Sequence, residues 1–489
     1  PDAEIRPGDL VDWLQANPAL GIKITMPTLQ KTALWGAPLA ALTLFLALTG
    51  AAGLPFEMAA TAALTLWCAV WWVLEPLPIP ATALLPLAGL PLLGVLDSGD
   101  IAAAYGDPMI LLLMGGAFLS KGMEASGAHR RIALGLINLL GGTNGRRLIF
   151  GFMLAAAFLS MWVSNTATAL MLLPVALAVV DRAEPRLAIP LLLAVAYGCS
   201  IGGMATPIGT PPNIIFLKVY GDISGETISF VRWIMQILPA MLILLVIAGW
   251  WLSRGLGAIA PIVLPATGPW QTAEKRVLTV FALTALAWMT MEEPFGGWQH
   301  WLHVDNANYG SVALLGALSL FLIPAGRPEE RLLNWELAKQ IEWGVLLLFA
   351  GGIALAKAFV ASGLSDAIGQ QLAGFTEFPL WLTILMICLS VTFLTEVTSN
   401  TATTTLLMPI LAATALAAGI DPLVLMLPAA LSASCAFMLP VATPPNAIIF
   451  ASGRIRVQEM ARTGLAVNLM GSVLITALTL VLYALAGSG

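Results

Sequence analysis

Charge is scarce in this chain: Asp, Glu, Lys and Arg supply only 10% of its 489 residues, against roughly a quarter in ordinary soluble domains. So few charges cannot clothe a water-facing surface of normal size, which excludes a soluble globular protein. Histidine is rarer still. His129, His300 and His303 are the three present, which rules out a His-rich metal centre and leaves only a weak His300/His303 pairing. The four cysteines, Cys68, Cys199, Cys388 and Cys435, lie in apolar surroundings without metal-ligand spacing and read as buried free thiols. There is no His-Glu-x-x-His, no Gly-x-Gly-Asp and no serine nucleophile paired with a histidine, so the intramembrane enzyme classes lack their chemistry. No organic cofactor and no nucleic-acid partner are expected. The first 30 residues contain Pro7, Pro18 and Pro27 and no long apolar core behind a basic start. They read as an amphipathic cytoplasmic arm over 1–31 rather than a cleaved signal peptide.

What the chain has instead is apolar sequence, 59% by count, with a mean hydropathy of +0.89. Runs of membrane-spanning length recur from Thr32 to the C-terminus. Spans are read at 33–53, 57–75, 80–96 and 108–125, then a pair 147–163/167–180, then 187–216 and 231–252. The second half gives 276–291, 309–324 and 342–360, a pair 379–397/402–417, then 423–450 and 464–487. Each pair is joined by a polar motif rather than an aqueous loop, which suggests a hairpin that enters the bilayer and turns back. With the hairpins not crossing, Arg130, Arg131, Arg146, Arg147, Arg182, Arg186, Arg254, Lys275, Arg276, Arg327, Arg331, Lys339, Arg454, Arg456 and Arg462 share one side. Asp97, Asp100, Asp107, Glu292, Glu293, Asp305, Glu377 and Asp421 take the other, and Lys218, Arg232 and Lys357 break the pattern. The positive-inside rule then predicts eleven crossings, N-terminus in and C-terminus out. The expected fold is an all-α polytopic membrane protein of eleven transmembrane helices plus two re-entrant helical hairpins.

The polar motifs repeat. Ser-Asn-Thr-Ala-Thr occurs at Ser164–Thr168 and again at Ser399–Thr403, 235 residues on. Gly115-Gly116, Lys121 and Ser126-Gly127 recur as Gly351-Gly352, Lys357 and Ser362-Gly363, an offset of 236. Thr210-Pro211-Pro212-Asn213 recurs as Thr443-Pro444-Pro445-Asn446, an offset of 233. Near-constant offsets mean one duplicated unit. Five crossings between equivalent points, an odd number, predict that the copies are inverted. Inverted repeats with interrupted helices point to a secondary transporter with a site at mid-depth.

A turn at Ser-Asn-Thr leaves carbonyls of one short helix and N–H groups of the next unpaired inside the membrane. The helix starting near Ala167 or Ala402 presents its positive end, which favours an anion. The carbonyl end of the preceding arm favours a cation, and Ser160 and Thr395 add oxygens one turn earlier. Pro-Pro breaks the later span and frees carbonyls such as those of Gly209 and Ala442. Taken singly, such motifs more often serve helix packing, and it is their duplication at matched offsets that points to two ion sites with room for an anion between.

Both Ser-Asn-Thr motifs with their downstream Thr-Pro-Pro segments make nearly the whole chain similar to the divalent anion/sodium symporters, which carry dicarboxylates, citrate or sulfate. The resemblance implies one sodium at Ser160, Ser164, Asn165 and the Gly209 carbonyl. It implies a second at Thr395, the Thr398 carbonyl, Asn400 and the Ala442 carbonyl. Substrate would contact Asn165, Thr166, Ser399, Asn400, Thr401 and the neighbourhood of Thr210 and Thr443. Two intact Ser-Asn-Thr tips go with C4-dicarboxylates in that family, and its members are homodimers whose transport domain slides against a scaffold. The implied division is arm 1–31, scaffold 32–143, transport part 144–253, scaffold 254–374 and transport part 375–489. A sodium-independent exchanger, or a sodium symporter for sulfate or citrate, would present a similar site.

Glu396 breaks the repeat symmetry, standing where the first copy has Met161. It is expected to be paired within the hairpin or to face the outer vestibule. Lys121 and Lys357 are expected to snorkel, and Trp71, Trp72, Trp298 and Trp301 to sit in interfacial belts.

Overall fold

The computed structural model describes residues 28–140, 144–181, 185–257, 268–293, 296–304, 306–326, 329–372 and 378–486. The proposed arm lies mostly outside them, as do Arg182, Asp305, Arg327 and Glu377, while residues 28–31 begin the first helix, Thr28–Gly50. The regular elements among the described residues are all helices, joined by turns and loops, and Pro324 and Arg331 form an isolated bridge. Eight helices are long and apolar enough to cross a membrane, and one of these is Asn400–Ala417, the second arm of the second Ser-Asn-Thr pair. Ile79–Leu92, Tyr309–Leu322 and Leu423–Ala433 are apolar but shorter.

The duplication is visible element by element. Pro108–Ser126, the pair Gly145–Ser160/Asn165–Val180 and the interrupted helix Pro185–Gly203/Pro211–Ser224 form one series. Trp343–Ala361, Leu380–Thr395/Asn400–Ala417 and Leu423–Ala433/Pro444–Ala451 form the other. Each copy packs on the other reciprocally. Asn165–Val180 meets Pro444–Ala451, and Asn400–Ala417 meets Pro211–Ser224. Likewise Pro108–Ser126 meets Tyr309–Leu322, and Trp343–Ala361 meets Leu84–Leu92. Exchange of partners between equivalent elements is what a two-fold relation between repeats produces.

The matched glycines explain one such contact. A Cβ on Gly115 would fall 2.5 Å from the Ala313 Cβ, and one on Gly351 would fall 2.7 Å from the Ala83 carbonyl oxygen. Small residues let helix backbones approach this closely where lipid supplies no hydrophobic drive.

Arg131 pairs with Glu274 at 2.9 Å and Arg454 with Asp181 at 2.8 Å, all near the basic clusters. Lys218, an exception in the charge pattern, lies 2.8 Å from Asp107 and 2.6 Å from Asp222 and is neutralised by them. Trp72 is not a belt residue: it is fully buried, whereas Trp71 bonds the Ala33 carbonyl at 3.1 Å and Trp301 is 58% exposed. The helix face carrying Trp72 turns inward against the neighbouring span, which sequence position alone does not reveal.

Valine at Gly115 or at Gly351 is expected to lower stability by about 1–3 kcal/mol through overpacking. Gly116→Ala, where an added Cβ meets nothing within 4 Å, should be nearly neutral. Thermal unfolding of the purified variants measures both.

Candidate functional site

Each Ser-Asn-Thr begins a helix because its first residue is a good cap. Ser164 accepts the Ala167 N–H and Ser399 the Ala402 N–H, both at 3.4 Å. The Thr168 and Thr403 N–H groups bond the carbonyls of those same serines at 3.0 and 2.9 Å. Among the described bonds this leaves the N–H groups of Asn165, Thr166, Asn400 and Thr401 open, two at each tip, beside one cavity of about 1140 Å³.

The two asparagine side chains are fixed in the same way. The Ser160 hydroxyl donates to Asn165 Oδ1, and the Thr395 hydroxyl lies 2.6 Å from Asn400 Oδ1 and 3.0 Å from the Ala433 carbonyl. Ser160 and Thr395 are fully buried behind the cavity wall. A Cβ placed on Gly203 would sit 3.0 Å from Asn165 Oδ1 and 3.1 Å from the Gly209 carbonyl oxygen, so the two expected oxygens flank one point and only glycine leaves room between them. In the second copy the Thr398 hydroxyl is committed to the Leu394 carbonyl at 2.8 Å and to Thr403 at 2.7 Å. Its backbone carbonyl is therefore the group it can offer a cation. Uncharged oxygens converging at this depth suit a hard monovalent cation, and the open N–H groups suit a carboxylate.

Asn165, Thr166, Thr210, Ser399, Asn400, Thr401 and Thr443 all line the cavity, as do Ser164, Gly209, Thr398 and Ala442. Both tips and both Thr-Pro-Pro breaks thus meet in one space. The cavity continues to Lys121, Glu124, His129 and Gln340, beside the basic cluster. Lys121 does not snorkel to lipid but pairs with Glu124 at 2.7 Å in the cavity wall. On the helix Ala128–Leu140, His129 is buried against the Met123 carbonyl at 2.9 Å, and burial holds its imidazole below the ordinary value. The His300 and His303 rings stand 6.3 Å apart, and the His303 N–H bonds the His300 carbonyl at 3.2 Å. No cluster of three or more His, Cys, Asp or Glu able to hold a metal occurs among the described residues, and the four cysteines are free and buried.

Glu396 faces neither its own hairpin nor the vestibule. It is buried, with Oε1 accepting the Met438 N–H at 2.9 Å and Asn468 Nδ2 at 2.7 Å, and Oε2 accepting the Leu439 N–H at 2.8 Å. The turn of the second hairpin is thereby tied to the loop that breaks the next helix. The first copy makes the same tie with the roles reversed: the Thr206 hydroxyl in the loop donates to the Met161 carbonyl in the turn at 2.5 Å. Sequence reading missed Thr206 and Asn468 altogether. Asn468, Ser472 and Thr476 at four-residue spacing on one helix were the available signal.

A model of the citrate transporter family matches residues 69–430. The sodium-dependent dicarboxylate transporter SdcS of Staphylococcus saprophyticus is 41% identical over 439 residues, covering 84% of this chain and 84% of that protein. SdcS of Staphylococcus aureus strain NCTC 8325 is 40% identical over 447 residues, covering 86% and 85%. The crystal structure of the Alcanivorax borkumensis YdaH transporter aligns with a TM-score of 0.59 at 17% identity, covering 85% of this chain and 97% of that one, a likeness of fold alone.

Glu396→Leu leaves one buried and two part-buried N–H donors without an acceptor, at up to about 1–3 kcal/mol each. It should lower the thermal unfolding temperature far more than Met161→Leu, a near-isosteric change costing less than about 1.5 kcal/mol.

Proposed function

This chain belongs to the citrate transporter family, alongside the sodium-dependent dicarboxylate transporters, and on that premise we propose that it is a secondary carrier moving C4-dicarboxylates such as succinate, malate and fumarate with sodium. The family and these relatives are transporters, not enzymes. The observation that carries the reading is the convergence of both Ser-Asn-Thr tips and both Thr-Pro-Pro breaks on one cavity.

In this reading one sodium binds among Ser160, Ser164, Asn165 and the Gly209 carbonyl, and a second among Thr395, the Thr398 carbonyl, Asn400 and the Ala442 carbonyl. The fixed Asn165 and Asn400 amides support it, since each is already aimed by a buried hydroxyl. Two sodium ions neutralise a dianion that would be strongly disfavoured in a low-dielectric site. Each sodium orders its turn, so the open N–H pair of each tip meets one carboxylate, while Thr166, Thr401, Thr210 and Thr443 supply hydroxyls. Ions therefore bind before substrate. Sodium beyond two would make uptake electrogenic, at about 2.3 kcal/mol per charge per 100 mV.

The cavity exceeds the roughly 300–1,000 Å³ of a closed ligand pocket and runs to the basic end, in keeping with a carrier open to the cytoplasm in a bacterial inner membrane. Eleven crossings, two re-entrant hairpins and inverted copies complete the reading; the fourth arm, Asn400–Ala417, has 18 residues, and the re-entrant turn is supported by the other three, Gly145–Ser160, Asn165–Val180 and Leu380–Thr395, with 16 residues each. That is about 24 Å of helix against roughly 30 Å of hydrocarbon. An elevator motion follows, in which 144–253 and 375–489 slide as transport parts against a homodimeric scaffold of 32–143 and 254–374.

Succinate uptake into proteoliposomes should require an inward sodium gradient, and Asn165→Ala or Asn400→Ala should reduce it to background while leaving the protein monodisperse. Uptake that ignores sodium but needs internal dicarboxylate would replace symport with exchange.

A further inference from the structure

Resting on the sodium reading above, we propose that Asn213 and Asn446 are positioning residues of the two cation sites. Each returns to the helix break the two N–H donors that its preceding proline pair removes. Proline has no backbone N–H, so Pro211-Pro212 and Pro444-Pro445 deprive the start of each second half-helix of two donors. The last carbonyls of the half-helix before the break need donors, because no water reaches them at depth. The side-chain amide of the next residue supplies them. Asn213 Nδ2 donates to the carbonyls of Gly203 at 3.1 Å, Met204 at 3.2 Å and Thr206 at 2.8 Å. Asn446 Nδ2 donates to those of Ala436 and Leu439, both at 3.0 Å. Gly203 and Ala436, Thr206 and Leu439, and Asn213 and Asn446 are all 233 residues apart. The same two bonds are made in both copies although the bonded residues differ in side chain.

Both asparagines are fully buried, and in both the Oδ1 atom has no partner. A buried acceptor left open twice, at equivalent positions, is a penalty carried only where the donor half of the amide is required. What the donors accomplish follows from geometry. Gly203 is the residue whose Cα faces Asn165 Oδ1 and the Gly209 carbonyl, so fixing the Gly203 peptide fixes the floor of the first cation site. By taking up the carbonyls at the end of the first half-helix, Asn213 keeps them from swinging toward the ion, and the Gly209 carbonyl is left to meet it. Asn446 does the same for Ala442.

The test reads sodium in two ways on the full-length protein: half-saturating sodium for succinate uptake, and half-saturating sodium for thermal stabilisation of purified carrier without succinate. Asn213→Leu and Asn446→Leu remove the donors at similar volume. Each should raise half-saturating sodium by about tenfold or more, the equivalent of one lost buried hydrogen bond, with the succinate KM at saturating sodium changed less than about twofold. Asn213→Asp and Asn446→Asp keep the shape and can donate one hydrogen only when protonated. Their half-saturating sodium should fall as pH is lowered from 8 to 6, with wild type flat over that range, and this arm decides the matter if the leucine variants do not fold. A folded leucine variant with unaltered sodium dependence, or aspartate variants whose pH profile parallels wild type, would overturn the assignment. Wild-type protein indifferent to sodium in both readouts would sink the symport reading itself and the assignment with it.

Discussion

The constraint on which this molecule turns is that a backbone interrupted at membrane depth has no water to fall back on. Four helix ends meet around the cavity in each copy's hairpin and break, and every polar group there must be bonded to protein or kept open for cargo. The sequence solves most of this with uncharged side chains. Ser164 and Ser399 cap the helices that begin at the tips, and Asn213 and Asn446 bond the carbonyls before the breaks. What stays open at the cavity is two N–H groups per tip, with the Asn165 and Asn400 side-chain oxygens held behind them by Ser160 and Thr395. A formal charge in the same place would have to be desolvated in every cycle, whereas neutral dipoles become strongly interacting only when the ion arrives.

The two copies meet the same requirement by different chemistry at one point. Turn and loop are tied by Thr206 reaching to the Met161 carbonyl in the first copy, and by Glu396 receiving the Met438 and Leu439 N–H groups in the second. The first tie is a hydroxyl-to-carbonyl bond, whereas the second is a buried carboxyl group accepting three N–H groups. The two copies thus differ in the chemistry next to their candidate sites, the carboxylate following Thr395 directly in sequence. Duplication fixed the geometry, and divergence within it changed the tie in one copy.

The repeat, the breaks and the site oxygens were legible because each is a local statement: a Pro-Pro, a Ser-Asn-Thr, a constant offset. Seven residues expected at the substrate line the one cavity, and Ser160 and Thr395 stand behind the asparagines as helical spacing required. What was not legible depended on which face of a span meets which neighbour. Trp72 reads as a belt tryptophan until its helix is seen to turn it inward, and Lys121 reads as snorkelling until Glu124 is placed beside it in the cavity wall. Glu396 was recognised as anomalous, but its partners lie 42, 43 and 72 residues away, and no periodicity connects them. The single span read at 80–96 divides into Ile79–Thr82 and Leu84–Leu92, with the Ala83 carbonyl at the joint packed on Gly351.

The distribution of contacts bears on what the proposed sliding would cost. The tip helices of each copy are held by the broken helices of the other, Asn165–Val180 by Pro444–Ala451 and Asn400–Ala417 by Pro211–Ser224, so neither hairpin can move without its counterpart. A stripe of Asn468, Ser472 and Thr476 on the last helix meets Glu396, Thr392 and Cys388 on the entry arm and its turn, which fastens that helix to the same body. Against this, the described bonds from residues 144–253 to the proposed scaffold are fewer, and they include the Phe230 N–H on the Tyr309 hydroxyl at 3.1 Å and the Ser229 hydroxyl on Glu293 at 3.2 Å. The Ser164 N–H lies 3.4 Å from Ser120 Oγ, and Lys218 bonds Asp107 at 2.8 Å. Lys218 has a second carboxylate, Asp222, one turn along its own helix at 2.6 Å. In the proposed sliding Lys218 would keep Asp222 as its partner, while buried Asp107, left with the Met109 N–H at 2.9 Å, would carry the electrostatic cost of the separation.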